Sequence, residues 1–227
     1  MDEFPKIENA QKITLFHGSR VRVEQPQYGA GNPFNDYGRG FYCTEFRQLA
    51  CEWACPTTSD GYVNEYLLST EGLQILDLDS LEDAGLRWLA TLVAHRRFDA
   101  TTPLMAQAKQ FMLDQYEMPL DGFDVVVGYR ADDSYFSFAR AFLDNMISLS
   151  QLQRALRLGN LGRQVMVRSQ KAFDALMFVG AEAVEGELWH THRVARDERA
   201  RRAYRDMATT ETLSEDDIFM LDLLRGA

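Results

Sequence analysis

Tyr37-Gly38-Arg39-Gly40-Phe41-Tyr42-Cys43-Thr44-Glu45 is the stretch that decides how this chain is read. Two glycines around an arginine permit a tight turn or a close approach of backbone to a ligand. The Phe-Tyr-Cys-Thr run that follows has the composition of a strand, with one ring free for stacking. By itself, a Gly-x-Gly before aromatic residues marks a turn into a core strand more often than a binding floor. Two distant segments shift that balance: Leu15-Phe16-His17-Gly18-Ser19 before it, and Arg163-Gln164-Val165-Met166-Val167 far downstream.

The chain has 227 residues, 46% hydrophobic and 26% charged, which suits one large globular domain with a proper core. We expect a single domain over 1–227, with a core at about 12–182 and a helical tail at about 186–227. A formal net charge of -10 argues against general attraction to nucleic-acid backbone or anionic lipid. Cys43, Cys51 and Cys55 fit neither a zinc knuckle nor a thioredoxin-type pair, so reduced structural thiols are expected. The N-terminus is acidic and lacks the apolar core of a secretory signal, and no run approaches about 18 apolar residues. A cytoplasmic protein with no membrane partner is the expectation.

Read in order, Ile13 to Phe16 alternates as a strand that delivers His17 to its end. Residues 24–38 hold Pro26, Gly29, Gly31, Pro33 and Gly38, a long loop of the kind that covers or lines a site. Phe46 to Ala54 keeps helical spacing and stops at Pro56, which puts Trp53 on a helix face. Gly61 to Leu68 and Leu73 to Leu78 both alternate, and Thr70-Glu71-Gly72 between them predicts a hairpin. Helices are expected at Ser80 to Phe98, Leu104 to Tyr116, 134–144, 148–158, 193–207 and 214–225. A capping box is offered by Ser148 with Gln151 or by Ser150 with Gln153, and Ser214 is the expected cap of the last helix. A buried strand is expected at Phe123 to Gly128 and a further strand at Gln164 to Arg168. A short helix from Gln170 and a strand at Leu176 to Val179 follow.

Taken together, these pieces resemble the ADP-ribosyltransferase superfamily, on its diphtheria-toxin and poly-ADP-ribose-polymerase side. The nearest likeness is to a bacterial family of unassigned function. The resemblance rests on Leu15 to Ser19, Asp36 to Thr44, Phe123 to Gly128, Ala131-Asp132-Asp133 and Gln164 to Val167, and it covers most of the chain. It implies an α/β (α+β) fold of split antiparallel sheets around an NAD cleft. By that likeness His17 hydrogen-bonds the adenosine ribose, the Gly18 backbone holds the nicotinamide amide with help from Ser19, Tyr42 stacks on the nicotinamide ring, and Trp53 completes the stack. Arg39 either contacts the pyrophosphate through its guanidinium fork or pairs with Asp36.

Superfamily members carry a glutamate where this chain has Gln164. An amide oxygen still accepts a hydrogen bond from a ribose hydroxyl, but it has no charge and cannot act as a base. A unit charge lost at about 4 Å and an effective dielectric near 20 costs at most about 4 kcal/mol, roughly three decades of rate. Asp132 and Asp133 either supply a carboxylate to the cleft or cap the next helix. The resemblance implies transfer of ADP-ribose from NAD, as substrate and without a metal, to a macromolecular acceptor, a protein in preference to nucleic acid. The alternatives are a silent NAD- or ADP-ribose-binding module, with the helical tail as a docking surface for a partner protein, and an NAD glycohydrolase. A tRNA phosphotransferase fits the Tyr-Gly pattern less well. A bacterial stress, phage-defence or toxin–antitoxin setting is what small superfamily members suggest. His190 and His192 are expected in an exposed loop rather than on a metal, and the arginines from 193 to 205 on a solvated helix face.

Overall fold

The computed structural model describes residues 10–131, 133–158, 162–210, 214 and 216–226, with backbone alone at 133–135 and 208–210. Its strands are Lys12–Ser19 (β1), Phe41–Cys43 (β2), Gly61–Ser69 (β3), Ile75–Asp77 (β4), Val125–Tyr129 (β5), Arg163–Val167 (β6) and Leu176–Val184 (β7). Its helices are Arg47–Ala54 (α1), Ala84–His95 (α2), Pro103–Tyr116 (α3), Asp133–Leu143 (α4), Leu149–Ala155 (α5), Gln170–Asp174 (α6), Gly186–Thr210 (α7) and Met220–Arg225 (α8). Among the described residues, no helix is long and apolar enough to cross a membrane.

The strands form two sheets, of order β1-β3-β7 and β2-β6-β5-β4. In β1, Ile13 and Leu15 are buried while Lys12 and Thr14 face out, the alternation of a one-sided strand. The second sheet is covered on both faces, and its alternation sorts the side chains. Val126 and Met166 point into the helical core, with Trp88, Leu89, Phe138 and Phe142. Val125, Val127, Val165 and Val167 meet Ile13, Leu15 and Leu68 of the first sheet. Tyr42 lies opposite Met166, so it shares the helical side, and Cys43 opposite Val165 is fully buried between the sheets. A bridge from Phe16 to Thr44 joins the sheets where β1 reaches His17.

Helix ends carry the chemistry that starts helices. Thr102 accepts from the Met105 amide at 3.1 Å ahead of Pro103, and Ser148 with Gln151 forms the capping box, so the first of the two offered boxes is realised. Helix α7 is tied down by a buried pair, Arg196 Nε to Glu52 Oε2 of α1 at 2.6 Å, and by Tyr204 stacked on Phe138 of α4 at 4.1 Å.

Several expectations are corrected. β3 and β4 are not a hairpin: β3 lies between β1 and β7, and β4 pairs in the other sheet with β5, in parallel. The Thr70 to Gly72 turn therefore crosses between sheets, held by Thr70 N–H on the Gln11 carbonyl at 3.1 Å. The second sheet is thus mixed rather than wholly antiparallel. Helix α2 starts at Ala84 instead of Ser80, because Leu78–Ser80 forms a 3-10 turn and Asp83 takes a left-handed φ of 57°. His190 and His192 sit on α7, which begins at Gly186, not in a loop. Ser214 is not the cap of α8, which starts at Met220; its amide bonds Asp217 at 2.8 Å and its hydroxyl accepts from the Asp216 amide at 3.3 Å. The arginine face of α7 is not uniformly solvated, since Arg196 is buried.

Gly18 marks the closest approach of β1 to α1. A Cβ there would lie 1.9 Å from the Ala50 carbonyl oxygen and 2.6 Å from the Ala54 nitrogen, both backbone atoms that cannot rotate away. Gly18→Ala is expected to destabilise the fold by at least about 3 kcal/mol, the upper end of overpacking costs. Denaturant titration measures it, and a cost below about 1 kcal/mol would mean that strand and helix separate easily.

Candidate functional site

The loop between β1 and β2 is fixed from β3. Asn64 is fully buried opposite His17; its Oδ1 accepts from the Val23 amide at 2.8 Å and its Nδ2 donates to Ser19 Oγ at 3.1 Å. Tyr66 Oη donates to the Val23 carbonyl. Asn35 to Gly38 forms a turn, with Gly38 N–H on the Asn35 carbonyl at 3.0 Å and Gly38 at φ 82°, which favours glycine. A Cβ on Gly38 would meet His95 and one on Gly40 would meet Met166, while the Gly40 backbone also lines the first of the cavities below.

This scaffold borders two cavities that share Asn35 and Tyr42. The first, about 500 Å³, is lined by His17, Phe41 and the loop from Arg22 to Gly31. The second, about 300 Å³, is lined by Asp36, Tyr42, Trp53, Arg130 and Gln164 among others. Tyr42 stands between them, its hydroxyl donating to the Gly38 carbonyl at 2.7 Å and accepting from the Tyr37 amide at 3.0 Å. The phenol is therefore an anchored wall, and burial raises its pKa above the ordinary tyrosine range.

His17 Nδ1 lies 2.7 Å from the Tyr42 carbonyl oxygen. A carbonyl only accepts, so Nδ1 carries the proton and the neutral ring keeps Nε2 as an acceptor. Burial lowers the His17 pKa, against the upward pull of that carbonyl. A lowered histidine pKa means that protonation opposes folding, so the associated stability is present above the ordinary histidine range near 6.5 and fades as pH falls below it.

The second cavity is built around a buried carboxylate. Asp36 Oδ2 accepts from the Ala131 amide at 2.9 Å and from Gln164 Nε2 at 2.9 Å, while its Oδ1 takes Arg96 Nη1 at 3.3 Å. Burial raises the Asp36 pKa; the Ala131 amide, Arg96, Gln164 and Arg130 all pull it down. Gln164 Nε2 also donates to the Tyr129 carbonyl at 3.2 Å. The Arg130 guanidinium lies 5.1 Å from the centroid of Trp53, and Trp53 Nε1 is buried without a hydrogen-bond partner among the described residues. A buried donor left open costs about 1–3 kcal/mol, a cost that sites for ligands commonly carry.

His17, Tyr42, Trp53 and Gln164 thus meet on the two cavities from β1, β2, α1 and β6. Gly18 and Ser19 line neither: Gly18 packs on α1, and Ser19 bonds Asn64 and the Val21 carbonyl. Arg39 is exposed and donates to the Gly29 carbonyl at 3.1 Å, so the ion pair with Asp36 is not formed; Asp36 pairs with Arg96 instead. Guanidiniums do reach the second cavity, from Arg96, Arg130 and Arg193. Asp132 lies outside the described residues, and Asp133 is described only as the first residue of α4. Sequence reading missed Asp36, Arg96 and Arg130 as site residues. Asp36 opens one of the quoted motifs, but no linear pattern separates an inward carboxylate from a turn former.

Two sheets bridged at Phe16 and Thr44, with two cavities that meet at Tyr42, define a mixed α/β protein with a candidate site among its described residues. Residues 13–178 match the family model described as "Protein of unknown function (DUF3990)", and the chain belongs to that family. No curated protein and no solved structure matches it.

Proposed function

We propose that this protein binds NAD across the two cavities and transfers ADP-ribose to a macromolecular acceptor, releasing nicotinamide. The observation that supports this reading is that His17, Tyr42, Trp53 and Gln164, from four separate elements, line two neighbouring cavities that share Tyr42. A dinucleotide needs two compartments. His17 Nε2 suits a ribose hydroxyl in the first, and Tyr42 with Trp53 offers aromatic surface to a flat, electron-poor ring in the second. Phosphate recognition falls to guanidiniums that reach the cleft, Arg130 and Arg193, rather than to Arg39.

The bond broken is the one between nicotinamide and its ribose, and the transition state carries positive charge on that ribose. Asp36, the carboxylate of the second cavity, is the group able to offset such charge. The neutral amide of Gln164 favours a second reading, a silent NAD- or ADP-ribose-binding module. Nicotinamide release from NAD, with cell lysate as the source of acceptor, separates the two. Release is expected, and His17→Ala is expected to reduce it at least about tenfold, one hydrogen bond's share. Binding without release supports the module. Release unchanged in His17→Ala would rule out this cleft as the place of reaction.

A further inference from the structure

Position 164 poses a question that the NAD reading leaves open, namely why a glutamine stands there. Its amide nitrogen faces two oxygens at once, Asp36 Oδ2 at 2.9 Å and the Tyr129 carbonyl at 3.2 Å. Neither has a proton to give when Asp36 is ionised. Among the described residues, the hydrogen-bond partners of Asp36 are donors: the Ala131 amide, the Gln164 amide and the Arg96 guanidinium. That is the environment of a carboxylate rather than of a carboxylic acid. The Tyr37 hydroxyl lies against the same amide and, with Trp88 Nε1 at 2.9 Å, also donates to the Tyr129 carbonyl. The amide nitrogen is thus committed within the protein, and the group left for a ligand is the amide oxygen. The orientation of the amide follows from the acceptors around it.

We propose that Asp36 is a positioning residue that, with the Tyr129 carbonyl, holds the Gln164 amide nitrogen inward and turns its oxygen to the ligand. Glutamine is thereby required at this position instead of replacing a glutamate at a loss. A glutamate would set an ionised oxygen against Asp36 Oδ2 and the Tyr129 carbonyl, two acceptors that the Gln164 amide nitrogen meets as a donor. It is tolerated only when it takes up a proton and so becomes a donor on that side. The role of the ligand in this proposal rests on the NAD reading; the orientation of the amide does not.

Charged and titratable groups facing this pair come from every neighbouring element. They are Arg96 after α2, Arg130 after β5, Arg193 on α7, Tyr37 in the loop, Tyr42 on β2, and Asp79 in the turn after β4, which burial pushes up to about 7, so that wild type measured at each pH is the reference for its titration. His17 lies across Tyr42, with burial lowering its pKa against the pull of the Tyr42 carbonyl.

The test is calorimetric titration with NAD of wild type, Gln164→Glu, Asp36→Ala and the double variant, each at pH 6 and pH 8, with thermal midpoints as the check on folding. Gln164→Glu is expected to bind at least about tenfold more weakly than wild type at pH 8 and to recover part of that loss at pH 6, where the introduced carboxyl holds a proton. In the Asp36→Ala background the same substitution is expected to cost less. A Gln164→Glu variant that binds as well as wild type at pH 8, or a cost equal in both backgrounds, overturns the proposal. The Gln164 side-chain amide resonances, identified by their loss in Gln164→Glu, give a readout that needs no NAD. They are expected to exchange slowly with solvent in wild type and fast in Asp36→Ala. If wild type takes up no NAD at either pH, the functional reading fails while this arm still judges Asp36. Fast exchange in wild type overturns the positioning role whatever the ligand.

Discussion

Arg163→Ala is expected to lower the stability of the fold by about 3–5 kcal/mol, the range for removing one partner from a buried ion pair. The Arg163 side chain is 3% exposed and sits between Asp77, at 2.6 Å from Nη1 to Oδ2, and Glu45, at 3.5 Å from Nη2 to Oε2. Its removal leaves Asp77, itself 3% exposed, without its cation. The loss should also depend on pH. Burial, reinforced by Asp77, pushes Asp79 up to about 7, and Arg163 holds it down. Glu45 is raised by burial and held down by Arg163 in the same way. Without the guanidinium both rise further. A carboxyl group whose folded pKa exceeds its unfolded value contributes stability at low pH and loses it as pH rises through the folded value. The deficit of Arg163→Ala is therefore expected to be larger at pH 8 than at pH 5, as read by denaturant titration at the two. Arg163→Lys keeps the charge but loses the fork that spans two carboxylates, and should fall between. An equal deficit at both pH values would mean that the carboxylates reach water once Arg163 is gone.

Tyr42→Ala is expected to weaken NAD binding about ten- to a hundredfold, the effect of deleting an aromatic platform beneath a flat base. The ring does this, not the hydroxyl. Oη is committed to the Gly38 carbonyl and the Tyr37 amide, so it has its partners within the protein. Tyr42→Phe should consequently keep most of the affinity and lose some thermal stability, because those loop contacts go. Tyr42→Ala should lose both. If the two variants bind NAD equally poorly, Tyr42 works through the loop and the stacking role fails.

Much of the fold was legible because strand and helix periods are written into single segments. The alternation at Ile13 to Phe16 and the β-branched run at Val125 to Val127 sufficed for β1 and β5. Pairing was not legible. Leu73 to Leu78 reads as a strand from its own residues, but nothing local says that Ile75 lies beside Val125 in one sheet while Leu68 lies beside Ile13 in the other. A short turn suggested a hairpin, and burial of β4 in the second sheet prevailed.

The candidate site can be compared with the sequence in the same way. His17, Tyr42 and Gln164 sit on strands whose register carries them to the cleft, and Trp53 follows from the helix face of α1. Asp36 and Arg39 share one loop, and loop residues have no period to say which points inward. The loop turns at Gly38, so Asp36 faces Gln164 while Arg39 faces solvent. Arg130 was hidden for a different reason: it directly follows a buried strand, where either a core or a solvent direction was open.

The central claim is that this cleft takes NAD through His17 and Tyr42. Calorimetric titration of NAD into the purified protein, beside a His17→Ala, Tyr42→Ala double variant of matched thermal midpoint, tests it most directly. One molecule of NAD per chain is predicted for wild type, with affinity at least about a hundredfold weaker in the variant. No heat of binding in wild type, or equal affinity in the two proteins, would contradict the claim.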